Sequence, residues 1–291
     1  MRAVYKQLAG AGLILLAGFG LGRLASHREP PAPVAGPGEE GAVLPPPVAL
    51  QLGGATTRPP SRGFRLLGER DRERLAARIR EFQAATDDSG RLEALDGIEA
   101  SCYGREILGL IRSILAAPAG QMGAGPRSRA IRMLAGNTSA EILPVLALAR
   151  EDRDEELRIQ AVMAAMRVEG EEFEDFIAAA FADKSANVRF AGLDVVDHQP
   201  EDVRERLFVR AMLSPRGDVA LAGLGELEAD ATADSIPLIM RGLSAPNDEV
   251  REEARVTLEF LLDEEFQGEE QAREWWLRNM RRFDRELNRL D

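Results

Sequence analysis

Four stretches of this chain follow one template at a constant spacing of 31 residues: DRDEELRIQAVMAA (152–165), DKSANVRFAGLDVV (183–196), SPRGDVALAGLGEL (214–227) and APNDEVREEARVTL (245–258). In register, Leu157, Val188, Val219 and Val250 form one apolar column. Four residues on stand Ala161, Gly192, Gly223 and Ala254, and four further Ala165, Val196, Leu227 and Leu258. Steps of four place all three columns on one face of a helix. The middle column is restricted to Ala and Gly, which suits a point where two helices pass closely. The segment before each stretch repeats as well. Val145, Phe176, Leu207 and Leu238 share a column, and Ala149, Ala180, Ala211 and Gly242 form a second small one. Pro144 and Pro237 fall where the first turn of a helix tolerates proline. Asp154, Ser185 and Asn247 fall at the N-cap of the second helix.

Each unit is therefore a hairpin of helix A, a short turn and helix B. Such a hairpin cannot bury its apolar stripe alone, so neighbours must stack. The expected fold class is all-α: an α-solenoid of stacked antiparallel helix pairs with a 31-residue period, its small residues touching the next unit. Two degenerate units precede the four, with helix B at RLEALDGIEA (91–100) and RSRAIRML (127–134), separated by a widened loop (116–126). RERLAARIREFQAA (72–85) reads as an N-terminal cap through Leu75, Ile79 and Phe82. The repeat domain spans 64–268, and 269–291 reads as one amphipathic C-terminal capping helix carrying Ala272, Trp276, Met280, Phe283, Leu287 and Leu290 on a stripe.

The repeats carry a resemblance. Asp, a short turn, an apolar residue with Arg, then Ala or Gly is similar to HEAT-like repeats, in particular the short type named after phycobilisome lyases, in a membrane-tethered bacterial form. The likeness covers about residues 86–265. It implies a curved rod whose concave face binds other macromolecules, with Asp and Arg forming a ladder between neighbouring repeats. Asp152 and Asp183 match that ladder, as do Arg158, Arg189 and Arg251, while Ala220 departs from it. On this basis the unit at 214–227 should be the loosest joint.

The first 28 residues hold an uncharged apolar run, Leu8 to Gly22, between Lys6 and Arg23. Fifteen helical residues span about 22 Å against a hydrocarbon core of ~30 Å, a gap that snorkelling basic side chains can close. The segment reads as a signal anchor contacting the membrane through residues 8–22, with a cleaved signal peptide as the alternative. Residues 29–63 are rich in Pro and Gly without apolar periodicity, a disordered tether. The expected location is the bacterial inner membrane, single-pass, with the repeats on the extracytoplasmic side, or secreted after cleavage.

Charge and composition narrow the chemistry. The formal charge is −12; residues 1–28 carry +4 and residues 29–63 carry −1, leaving −15 on the remainder. That field repels phosphate backbones, so no nucleic-acid role is expected. One Cys, Cys102, excludes an internal disulfide, and two His far apart, His27 and His198, argue against a histidine metal site or relay. No cofactor is expected, and the acidic run EGEEFEDF (169–176) reads as the solvated first turn of a helix A. The expected function is a non-enzymatic scaffold binding a protein or peptide partner on its concave helix-B face; the alternative is a phycobilin-lyase-like enzyme or accessory subunit sharing the repeat, and after it a nucleic-acid-binding solenoid. Candidate partner-binding residues lie beside the Arg column: Glu156, Arg158, Gln160, Met163, Asn187, Arg189, Asp218, Glu249 and Arg251, with Trp275 on the C-terminal helix.

Overall fold

The computed structural model describes residues 67–290 other than 100–105, 119 and 230. The anchor or signal segment, the tether and Cys102 lie outside the described residues. Within them the chain is all-helical, with thirteen α-helices and no strand: α1 (Glu69–Ala84), α2 (Asp88–Glu99), α3 (Ile107–Leu115), α4 (Ala124–Leu134), α5 (Leu143–Arg150), α6 (Glu155–Ala164), α7 (Glu171–Ala180), α8 (Ala186–Val196), α9 (Glu201–Met212), α10 (Gly217–Ala229), α11 (Ile236–Met240), α12 (Asp248–Leu262) and α13 (Glu269–Asn279). No helix among the described residues is long and apolar enough to cross a membrane.

Local chemistry sets the helix starts. Asp154, Ser185 and Asn247 accept the backbone N–H two residues ahead, at 3.0, 3.2 and 2.8 Å. Each cap satisfies a donor the helix cannot, a contribution of about 1 kcal/mol. Pro144 and Pro237 lie in the first turns of α5 and α11, where no helical N–H is lost.

The helices pack in consecutive pairs, α1 with α2 through α11 with α12. Each even-numbered helix from α2 to α10 also touches the next even-numbered one, and α3, α5, α7 and α9 contact one another in turn. The buried apolar side chains form one continuous core from Leu67 to Leu287. The stripe columns supply it: Leu157, Val188, Val219 and Val250 are all buried. Stacking, and not the single hairpin, removes these side chains from water.

The small columns have a different job from the one expected. Ala161, Gly192, Gly223 and Ala254 are buried, but at Gly192, Gly223 and Ala254 the close approach is to helix A of their own hairpin, not to the next unit. A Cβ on Gly223 would stand 2.7 Å from the Ala211 Cβ, and one on Gly192 would stand 3.5 Å from the Ala180 Cβ. At Gly242 the roles reverse, with Ala254 2.7 Å from the Cβ position. The two small columns thus face each other across the crossing inside each pair.

Between pairs runs a ladder of Arg and Asp. Arg158, buried in α6, donates to both Asp183 oxygens at 3.0 and 3.1 Å across to the next unit. Arg127 pairs with Asp152 in the same manner. Each Arg also donates back to the turn closing its own pair: Arg158 to the Asp152 carbonyl at 3.1 Å, Arg189 to that of Asp183 at 2.7 Å, Arg251 to that of Ala245 at 2.6 Å. The guanidinium thus sits at the C-terminal end of helix A, where the helix dipole favours a cation. At the third rung the Asp column holds Ser214, which keeps the turn bond by accepting from the Arg216 N–H at 3.2 Å. Arg189 pairs with Asp218 instead. After that the ladder stops: Ala220 is buried and Arg251 pairs with Asp248 of its own helix. The joint between α10 and α12 is linked by the Thr257 hydroxyl, which donates to Glu228 at 2.6 Å.

Two further expectations need correction. The C-terminal helix stops at Asn279, whose side chain donates to the Trp275 carbonyl at 2.8 Å; a 3-10 turn follows (Met280–Arg282), then a turn in which Asp284 accepts the Asn288 N–H at 2.8 Å. Phe283 and Leu287 are still buried, but Met280 and Leu290 are exposed. In the acidic run at 169–176, Glu174 is buried and bound by Arg206 at 2.9 Å, so this first turn of α7 is not wholly solvated.

Candidate partner-binding surface

The even-numbered helices hide two sides of their circumference in the stack and present a third. On α6 the outward positions are Glu156, Gln160 and Met163; Glu156 is exposed and the other two half-buried. The Gln160 side chain donates to Glu156 at 2.9 Å. On α8, Asn187 is exposed and donates to Glu155 at 2.7 Å, tying the outward edges of α8 and α6 together. That bond holds the Glu155 carboxyl below the usual range. Glu249 is exposed in the first turn of α12.

The remaining candidates sit elsewhere. Arg158 and Arg189 are buried ladder residues, and Asp218 is the partner of Arg189, so these three are engaged in joining repeats. The physical reason is the reach of the guanidinium, which extends sideways to the next turn while its backbone stands beside the outward face. Arg251 is half-buried on Asp248 and the Ala245 carbonyl. Trp275 is half-buried at the far end, edge-on to Phe266 at 5.6 Å and tilted against Phe283 at 6.2 Å, which is packing. His198 closes α8 through a 2.8 Å contact of Nδ1 with the Asp194 carbonyl.

Comparison with known proteins adds nothing to this geometry. No family model, curated protein or solved structure matches the chain.

Sequence reasoning passed over the apolar part of the surface. Phe190 on α8 and Val256 and Phe260 on α12 are 47%, 47% and 52% exposed, whereas core phenylalanines such as Phe173 and Phe181 are at most 1% exposed. Their signal was present: Phe190 and Val256 lie outside the three core columns, where an apolar side chain has no packing duty.

Beside this face, Glu228 makes the surface pH-sensitive. Burial, opposed by the Thr257 hydrogen bond and reinforced by the Glu253 charge, pushes its carboxyl up to about 7. In the unfolded chain it titrates near 4.5, so the folded state holds the proton more tightly. The resulting stabilisation is full below pH 4.5 and lost as pH rises through 7, on the order of 3 kcal/mol. Denaturant unfolding at pH 5 and pH 8 checks this: Glu228→Gln, which keeps an oxygen for Thr257, should flatten the difference and be the more stable form at pH 8.

Proposed function

We propose that the chain is a membrane-tethered, non-enzymatic scaffold of the HEAT-like kind: an α-solenoid in which paired helices pile into a bent rod whose concave side, formed by the even-numbered helices, binds a protein or peptide. What supports the solenoid is the run of contacts along both sets of helices together with the Arg–Asp rungs between pairs. The observation that carries the binding reading is the half-exposure of Phe190, Val256 and Phe260 on helices whose other faces are packed. Isolated surface apolar residues are ordinary, but Phe190 on α8 and Phe260 on α12, on either side of α10, are large aromatic side chains of the kind partner-binding surfaces use. The anchor and the Pro-rich tether supply the membrane part of the reading, holding the domain off the bilayer.

Replacing Gln160 or Met163 with Arg or Glu tests it. Gln160 and Met163 are half-buried and Met163 also packs on the core, so the Gln160 variants should melt within a few degrees of the parent and the Met163 variants lower, while both lose capture of the partner. The partner itself is found by pull-down of the membrane-extracted full chain beside a form starting at Gly63, read by mass spectrometry. Capture that survives both substitutions would remove the outward face from consideration.

A further inference from the structure

The outward face of the even-numbered helices has a chemistry that selects among partners. Its exposed apolar side chains stand among carboxylates. Glu156 flanks α6 and Asp194 follows Phe190 by one turn on α8. On α12, Glu249 and Glu253 precede Val256 and Phe260. The cations on α12 are engaged locally: Arg251 with Asp248, and Arg255 with Glu252 and Glu259. Glu249 and Glu253 have no cation beside them among the described residues, and Glu253 instead faces the carboxyl of Glu228. Arg127, Arg158 and Arg189, which could have brought positive charge to the face, are drawn sideways into the ladder. The result is exposed apolar side chains on α8 and on α12, each with exposed carboxylates on the same helix.

We infer that the outward side of α12 takes a cationic amphipathic segment of a partner protein, whose apolar side chains cover Val256 and Phe260 while its Lys or Arg side chains meet Glu249 and Glu253, with Phe190 and Asp194 on α8 as a second anchor. The inference rests on the docking reading above and adds the chemical class of the ligand. Periodicity supports it: Val256 and Phe260 stand four residues apart on α12 and Glu249 and Glu253 likewise, so apolar and acidic rows run side by side along the helix. A ligand helix with apolar and basic rows at the same step matches both. Anionic lipid or nucleic acid would meet the carboxylates first and be repelled.

The test uses the whole chain and two labelled synthetic peptides, one of Lys and Leu at helical spacing and one with Glu at every Lys position, followed by fluorescence anisotropy. The cationic peptide should bind and the anionic one should not. Phe190→Ser combined with Phe260→Ser should weaken binding about tenfold or more, since exposed aromatic anchors carry much of such contacts. Glu249→Gln with Glu253→Gln should weaken it and lessen its salt dependence. All four side chains are exposed, so melting curves should stay close to that of the parent. If the anionic peptide binds as tightly and loses that binding with the Phe substitutions, the docking face stands and the cationic assignment is overturned. If the cationic peptide binds equally well without Phe190 and Phe260, its attachment is general electrostatics, and both the assignment and the docking face are overturned.

Discussion

Arg158→Met is expected to destabilise the folded chain by about 3–5 kcal/mol, the cost of leaving one member of a buried ion pair alone. The side chains of Arg158 and Asp183 are 4% and 10% exposed, and the guanidinium makes two bonds to the carboxylate as well as bonds to the Asp152 and Arg153 carbonyls. Removal of the cation leaves Asp183 charged in a place water reaches poorly. For a domain of this size the melting temperature should fall by roughly 10 °C. Arg158→Lys should recover little, because an ammonium cannot bond both oxygens in the plane of the carboxylate. Combining Arg158→Met with Asp183→Asn should recover about 1–3 kcal/mol of the loss, since no charge is then stranded. The amide oxygen introduced by Asp183→Asn can still accept the Ser185 N–H that the Asp183 carboxylate accepts at 2.8 Å. The rung also sets an acid limit. Burial raises the Asp183 carboxyl, but the Arg158 and Ser185 hydrogen bonds outweigh it and hold the group below its ordinary value of 3.8. A depressed carboxyl stabilises fully above that value, and the benefit is lost as pH falls through the lower folded value. Stability should therefore drop below about pH 4, under the window of the Glu228 effect and in the opposite direction, since that effect takes stability away as pH rises.

What the sequence made legible follows from which interactions are local. Caps at Asp154, Ser185 and Asn247, prolines in first turns and the apolar columns obey rules spanning a few residues, and the structure places them as those rules require. The ladder was half readable. A residue column shows that Asp and Arg recur, but that Asp218 replaces the missing Asp at Ser214 depends on where the Arg189 side chain reaches in space. The same limit misplaced Arg158 and Arg189 among the partner-binding candidates. Burial of a long side chain cannot be read from the direction its Cβ takes. The end of α13 was hidden for another reason. Ala272, Trp276, Phe283 and Leu287 keep an apolar spacing that fits a helix, and that spacing is also satisfied by a 3-10 turn and a bend around Asp284. The outward phenylalanines were the largest omission: columns were searched for what the core needs, and Phe190 is apolar where the core needs nothing.

Gly223→Ala should be the most damaging Gly→Ala change in the repeats, and a set of such changes separates crossing geometry from helix propensity. A Cβ at Gly223 would lie 2.7 Å from the Ala211 Cβ, 2.7 Å from the Met212 nitrogen and 2.8 Å from the Phe208 oxygen. Two of these three are backbone atoms, so α9 and α10 must move apart, opening the core on both sides of the crossing. Overpacking of this kind costs about 1–3 kcal/mol, more where backbone must yield. At Gly192 the neighbours are the Phe181 ring at 3.1 Å and the Ala180 Cβ at 3.5 Å, and a ring edge can shift, so the loss should be smaller. At Gly109 in α3 nothing lies within 4 Å; there Ala should stabilise by about 0.5–1 kcal/mol through helix propensity alone. Gly242 offers the reciprocal experiment. Its Cβ would meet the Ala254 Cβ at 2.7 Å and the Met212 sulfur at 3.2 Å, both ends of side chains. Gly242→Ala with Ala254→Gly should therefore regain most of what Gly242→Ala loses. Gly223→Ala with Ala211→Gly should not, because the Met212 nitrogen and Phe208 oxygen remain in place. Chemical denaturation of the six proteins gives the order directly. Equal losses at Gly109 and Gly223, or full rescue at Gly223 by Ala211→Gly, would show that backbone contact does not set the spacing within each pair.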